Sequence, residues 1–190
     1  MAKPEAAYVP FEEFLASLDE DSRAEWVDGR VERLSPASLR HQRIVGFLFR
    51  LLDEHVRARG LGEVVMAPFQ VKLGPDLPGR EPDLLFVARD GLSKMKGTYF
   101  EGAPDLVIEV SSPESAGRDR GEKFLEYEKA RVREYWLIDP EREQVDVYRL
   151  EQLRYRPLQA EADGRFASSA VDGFRLDPVW VLRDPPSTDS

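Results

Sequence analysis

Three short apolar runs constrain the fold of this chain more than any other feature of its sequence. They occupy residues 84–88 (LLFVA), 105–110 (DLVIEV) and 134–139 (EYWLID). Runs of this length that are rich in β-branched and aromatic residues are typical of buried strands, whereas buried helices are longer. We therefore predict that these three segments form central strands of a sheet.

Helical periodicity predicts three helices around these strands. The longest covers residues 39–59, where Ser38 is suited to cap the first turn and Gly60 to end the last one. A short helix is expected near residues 11–18 and another at residues 119–131.

The remaining segments predict a hairpin and several outer strands. Asp28-Gly29 lies between two alternating runs, which is a strong hairpin signal. Outer strands are expected at residues 63–68, 69–73, 144–150, 153–158 and 174–182, with loops at 74–80 and 91–102 and a turn at Asp163-Gly164. This order of elements predicts one α/β domain over residues 1–183, a mixed central sheet flanked by helices with an N-terminal hairpin and C-terminal strands, followed by a frayed tail at residues 184–190.

Composition limits the chemistry that the domain can perform. The chain has no cysteine and only two histidines, which excludes disulfides, thiolate metal sites and a histidine-rich zinc site. A metal would be held by oxygen atoms, as Mg²⁺ or Mn²⁺ are. The sequence has no apolar run of signal-peptide type or of the ~20 residues that span a membrane, so a cytoplasmic protein without membrane contact is expected.

Two carboxylates stand out against their apolar surroundings. Glu109 interrupts a strand that otherwise consists of apolar residues, and a buried carboxylate is costly unless it is paired or binds a cation. Strand alternation places Glu109 on one face with Val107 and Ser111. Asp83 opens another apolar strand. If the two strands are neighbours, both carboxylates can reach one divalent ion, which would orient a phosphodiester and activate a water molecule.

The helix that follows could supply a positive charge. Asp119, Lys123 and Tyr127 are four residues apart and share a helical face. If this face is directed toward Glu109, the Lys123 ammonium could stabilise negative charge that develops on the phosphate.

These residues resemble the motifs of the PD-(D/E)XK nuclease superfamily. The resemblance rests on Pro82-Asp83, on Glu109-Val110-Ser111 and on the stretch EVSSPESAGRDRGEKFLEYEKARVREYWLIDP that begins at Glu109. With DGRVERLSP and SLRHQRIVGFL upstream, the chain is similar to the Uma-type branch of restriction endonucleases over roughly residues 10 to 150.

The resemblance implies a restriction-endonuclease-like fold and Mg²⁺-dependent cleavage of DNA phosphodiester bonds. It implies that Asp83 and Glu109 are metal ligands. The superfamily lysine normally lies two residues after the acid, where this chain has Ser111. In this branch the lysine comes from the following helix, which implies Lys123.

Several residues have two interpretations. His41, Glu32, Ser111 and Tyr127 are candidate accessory residues, as His41 lies in a family-like segment and Glu32 could be a further ligand. Glu81 could likewise be a further ligand. Other roles explain the same positions: a capping or surface role for His41, a solvated strand face for Glu32 and Glu81, a turn for Asp83, a solvated helix face for Lys123 and packing for Tyr127.

Three functions remain open from the sequence. The first is a Mg²⁺-dependent DNA endonuclease, which by analogy with nucleases that cut both strands would be a homodimer. The second is a non-catalytic binding or assembly module with the nuclease fold, which Ser111 and the net charge of -9 favour. The third is a metal-dependent hydrolase of smaller phosphoesters.

Overall fold

The computed structural model of the protein describes residues 8–19 and 22–188. Within these residues the helices are Phe11–Ser17 (α1), Leu39–Arg59 (α2), Ala116–Arg120 (α3), Glu122–Ala130 (α4) and Pro178–Leu182 (α5), with a 3-10 helix at Arg89–Lys94. The strands are Ala24–Val27 (β1), Arg30–Arg33 (β2), Gly62–Met66 (β3), Gln70–Lys72 (β4), Gly79–Arg80 (β5), Leu84–Ala88 (β6), Tyr99–Glu101 (β7), Leu106–Val110 (β8), Glu134–Asp139 (β9), Gln144–Glu151 (β10), Arg154–Pro157 (β11), Phe166–Ala167 (β12) and Arg175–Leu176 (β13).

A mixed six-stranded sheet forms the centre of the protein, in the order β11-β10-β9-β8-β6-β3. The pair β8 and β9 is parallel and the other pairs are antiparallel. The three predicted central strands are therefore neighbours, with β8 between β6 and β9. The predicted α/β fold with a mixed sheet flanked by helices is confirmed.

The two faces of this sheet are covered by different elements. Helix α2 packs against one face through an apolar stripe that includes Ile44, Leu48, Leu52 and Val56. Each of these side chains contributes about 1.5–3 kcal/mol when it is fully buried. On the other face, Val107 of β8 and its neighbours pack against α4 and a second sheet.

The ends of α2 agree with the prediction. Ser38 caps the first turn by accepting a hydrogen bond from the His41 amide at 3.1 Å. Gly60 ends the helix in the left-handed region at φ 59°, where its amide donates to carbonyl groups of the last turn.

The second sheet has five strands in the order β2-β1-β5-β4-β7. Its β1-β2 hairpin turns at Asp28 and Gly29, with φ values of 48° and 77°. A two-residue turn with two positive φ angles is the type that the Asp-Gly pair predicted. Phe11 and Phe14 of α1 pack on this sheet against Ala24 and Trp26, so the N-terminal elements form one layer.

The structure corrects four local predictions. The helix predicted at residues 119–131 is two helices, because Gly121 leaves the helical region at φ -111° and ψ -89°. The strand predicted at residues 174–182 contains only β13, since Asp177 caps α5 by accepting from the Val179 amide and Pro178 occupies its first turn. The predicted loops at 74–80 and 91–102 contain the short strands β5 and β7, each of which pairs with β4.

The predicted tail begins after α5. Asp184 forms an ion pair with Arg43 of α2 at 3.3 Å, and residues 189–190 lie outside the described residues. The extent of the domain, residues 1–183, stays a prediction. Along the described parts of the chain, none of the helices has the length and apolar composition that crossing a bilayer requires.

Candidate active site

Two neighbouring antiparallel strands bring Asp83 and Glu109 together. Leu84 of β6 lies opposite Ile108 of β8, so the register places Asp83 beside Glu109. Leu84 and Ile108 face α2, and both carboxylates therefore lie on the other face of the sheet. Both line one cavity of about 400 Å³ and are nearly inaccessible to solvent.

Lys123 and Tyr127 hold one oxygen of Glu109. The Lys123 ammonium lies 2.9 Å from Glu109 Oε1, and the Tyr127 hydroxyl donates to the same atom at 2.8 Å. Both side chains come from α4, as the helical spacing predicted. Glu109 Oε2 accepts no hydrogen bond from any described residue, which leaves this oxygen available to a ligand in the cavity.

Glu25 also contacts Lys123 and was not identified from the sequence. Its Oε1 lies 2.9 Å from the Lys123 ammonium, and its Oε2 accepts from Arg80 Nη1 at 2.8 Å. Arg80 forms a second ion pair with Glu126 of α4 at 2.7 Å. Glu25 and Arg80 are fully buried and belong to the second sheet, so this sheet supplies part of the candidate site.

Several buried carboxylates lie close to the ammonium of Lys123. Asp119 Oδ1 lies 3.6 Å from the ammonium and accepts no hydrogen bond from the part of the chain that the structure describes. Three acids therefore surround this one cation. Burial raises the pKa of Glu109 to about 8, an effect that Lys123 opposes and that Asp119, Asp83 and Glu25 increase. Burial would lower the pKa of Lys123, but Glu109, Glu25 and Asp119 outweigh this effect and raise it. Lys123 is therefore charged at neutral pH.

His41 and a backbone amide orient Asp83. Asp83 Oδ1 lies 3.0 Å from His41 Nε2, and Oδ2 accepts from the Val110 amide at 2.8 Å. His41 reaches the site because it lies on the first turn of α2, which begins beside the cavity. The accessory position predicted for His41 is thus in contact with one of the two carboxylates.

The other accessory candidates occupy different places. Ser111 occupies the position of the superfamily lysine, and its hydroxyl donates to Asp119 Oδ2 at 3.2 Å. Ser115 donates to the same oxygen at 2.7 Å. Glu32 is half-exposed, pairs with Arg118 at 3.2 Å and does not line the cavity.

Glu81 is a further buried acid of the cavity, although a solvated strand face was the preferred interpretation of its position. It pairs with Arg23 at 2.8 Å and accepts from Gln70 at 2.9 Å. Burial raises the pKa of Glu81, Arg23 opposes this effect, and the charges of Glu25 and Asp83 add to it.

The donor set of the cavity fits a hard divalent cation. Within the described residues, no group of three or more His, Asp or Glu side chains has metal-binding geometry. Mg²⁺ does not need such a group, because it commonly takes one or two carboxylates and completes its shell with water and phosphate oxygens. The open oxygen of Glu109 and the presence of three carboxylates around one ammonium both favour a cation at this place.

Known proteins similar to this chain include an uncharacterized protein and a protein of known crystal structure. Uncharacterized protein sll1609 of Synechocystis sp. is 26% identical over 118 residues, which are 62% of this chain and 66% of the relative, just under two thirds of its length. The crystal structure is that of a putative nuclease belonging to DUF820 from Anabaena variabilis. It has a TM-score of 0.75 at 20% identity and covers 90% of this chain and 96% of its own, which shows a shared fold.

A family model matches the greater part of the chain. The model of Uma2, described as putative restriction endonuclease, matches residues 11–178, a range that contains Asp83, Glu109 and Lys123. Since this match covers most of the chain, the protein belongs to the Uma2 family.

Proposed function

We propose that this protein is a metal-dependent endonuclease that hydrolyses phosphodiester bonds of DNA. Membership of a family described as putative restriction endonucleases supports the reaction class. The observation that carries the site assignment is the pairing of Asp83 with Glu109 on adjacent strands, on one face of the sheet and in one cavity.

Asp83 and Glu109 would hold Mg²⁺ or Mn²⁺. Such an ion supplies a Lewis acid for the phosphate and lowers the pKa of a bound water. His41 and the Val110 amide keep the carboxylate of Asp83 in one orientation, and Tyr127 does the same for Glu109. A site held in this way loses little free energy to reorganisation when the substrate binds.

Lys123 would act as a fixed positive charge. Its raised pKa makes it a poor general base, because a base must release its proton near neutral pH. Its ammonium is held between Glu109 and Glu25 at 2.9 Å from each, which fixes the charge beside the open oxygen of Glu109. A positioned ammonium of this kind stabilises the negative charge that develops on a phosphate under attack.

The test is cleavage of plasmid, duplex and single-stranded DNA with Mg²⁺, with Mn²⁺ and with EDTA. We expect Asp83→Asn and Glu109→Gln to lower metal-dependent cleavage by about 10²–10³-fold. The loss of one group that stabilises the transition state has an effect of this size in other enzymes. Glu63→Gln is the matched control, since Glu63 is an exposed carboxylate on the edge strand of the same sheet. Calorimetry with Mg²⁺ measures binding of the metal independently of cleavage.

The results also distinguish the proposed nuclease from a hydrolase of small phosphoesters and from a non-catalytic module. A protein that cleaves nucleotides or small phosphoesters but no DNA is a hydrolase of small substrates. A protein without cleavage, and without metal binding that depends on Asp83 and Glu109, is a binding or assembly module. Equal cleavage by the parent and by either carboxylate variant would show that the site assignment is wrong.

We also propose a homodimer, by analogy with nucleases that cut both DNA strands by pairing two sites. Light scattering of the purified protein tests it, and a monomeric mass at the concentration of the cleavage assay would contradict it.

A further inference from the structure

Arg40 differs from the other cationic side chains that line the cavity. Arg23 pairs with Glu81, Arg118 pairs with Glu32, and Lys123 contacts two carboxylates at 2.9 Å. Arg40 also lines the cavity, but within residues 8–19 and 22–188 no carboxylate lies within ion-pair distance of it.

Among the described residues, the guanidinium of Arg40 also has no hydrogen-bond partner. Its Nε atom is buried and makes no hydrogen bond with any described residue. A buried donor without a partner is unfavourable, and more so when the group is charged. The chain contains 36 acidic and 27 basic residues, so carboxylates are plentiful. An arginine inside a cavity that has no carboxylate partner in the described part of so acidic a chain has its donors free for a ligand.

The position of Arg40 in the cavity indicates what kind of ligand it binds. It precedes His41, whose ring contacts Asp83, so its guanidinium belongs to the same cavity as the proposed metal ligands. The planar fork of arginine matches the oxygens of a phosphate and binds them in a bidentate way. DNA carries such groups at every nucleotide.

We propose that Arg40 binds a backbone phosphate of the DNA strand and thereby positions that strand over Asp83 and Glu109. This inference rests on the proposed function for its substrate. It does not depend on cleavage, because a phosphate contact contributes to binding without a metal. It also explains why the cavity contains a cation that no described carboxylate neutralises.

The experiment measures binding of two unrelated duplex oligonucleotides by fluorescence anisotropy in EDTA, across a series of NaCl concentrations. We expect Arg40→Ala to weaken both duplexes by about tenfold, the effect of one charge-assisted hydrogen bond. The slope of log Kd against log salt should decrease by about one, since one phosphate contact is lost. Arg40→Lys should keep the slope but recover only part of the affinity, because an ammonium cannot form the bidentate contact.

Arg57→Ala is the matched control. Arg57 lies on the same helix and its loss changes the net charge equally, but it pairs with Asp53 and its side chain is 76% exposed. We expect this variant to bind both duplexes with the affinity and salt slope of the parent. A second measurement follows the Arg40 Nε–H resonance by NMR while inorganic phosphate is added, and we expect it to shift in the parent.

Each outcome bears on the inference. Binding that depends on Arg40 in a protein that cleaves no DNA supports the phosphate contact and contradicts only the nuclease. Unchanged affinity and slope in Arg40→Ala overturn the phosphate contact and leave the nuclease intact. A loss of affinity for only one of the two duplexes overturns the phosphate contact and indicates that Arg40 recognises a base. A parent that binds neither DNA nor phosphate overturns it as well.

Discussion

The surplus of buried carboxylates around Lys123 leads to a prediction about stability. Glu109, Glu25 and Asp119 surround this ammonium, and Glu109 is the one whose pKa burial raises to about 8. Glu109→Gln removes one negative charge and keeps the size of the side chain. Its amide oxygen can still accept from Lys123 and Tyr127. We expect the metal-free variant to be more stable than the parent, by an amount that increases with pH.

The magnitude follows from the two pKa values of Glu109. The pKa is about 8 in the folded protein and 4.5 when the group is unperturbed, so the folded state holds the proton more tightly. The stability that this proton contributes is complete below pH 4.5 and is lost as the pH rises to about 8, at about 1.4 kcal/mol per pH unit. Glutamine has no such proton. The variant should therefore exceed the parent by roughly 2 kcal/mol near pH 6 and by roughly 5 kcal/mol above pH 8.

Urea unfolding in EDTA at about pH 6 and about pH 9 measures both differences as free energies of unfolding. Glu134→Gln is the control, because Glu134 is fully buried in the adjacent strand β9. Its Oε2 accepts from the Ser169 amide, the Ser169 hydroxyl and the Ala170 amide, and its Oε1 accepts from Trp136. We expect this control to be less stable than the parent by about 1–3 kcal/mol at both pH values. A Glu109→Gln variant that is no more stable than the parent, or whose advantage does not increase with pH, would refute the reasoning.

Further predictions concern the partners of Glu109. Lys123→Met should lower the free energy of unfolding by about 3–5 kcal/mol, because it leaves buried carboxylates without their cation; a urea midpoint equal to that of the parent would contradict this. Glu25→Gln should still fold and should slow cleavage about tenfold with little change in KM, because it removes one charged hydrogen bond that positions Lys123. A change in KM alone would instead place Glu25 in substrate binding. Mg²⁺ at a hundred times its Kd should stabilise the parent by about 2.7 kcal/mol, and Asp83→Asn should abolish that gain, as thermal unfolding with and without the metal will show.

Much of the framework could be predicted from local patterns. The strands at 84–88, 105–110 and 134–139, the hairpin at Asp28-Gly29 and the ends of α2 at Ser38 and Gly60 lie where the sequence indicated. Alternation along β8 also identified the face that carries Glu109. These features depend on residues close together in the chain, through turn geometry, capping and side-chain direction, so a single sequence contains enough information to infer them. The break of the last long helix at Gly121 was missed because a helical pattern continues across it.

The charge balance of the site was decided by the tertiary structure. Local sequence suggested that Asp83, Glu109 and Lys123 are important, but it could not show that Glu25 of the N-terminal hairpin shares the Lys123 ammonium. Nor could it show that Arg80 supports Glu25, or that Arg40 alone among several arginines of α2 lines the cavity without a carboxylate partner in the described residues. These properties arise where two sheets and two helices pack together, because electrostatic free energy depends on distance and burial in three dimensions and not on separation along the chain.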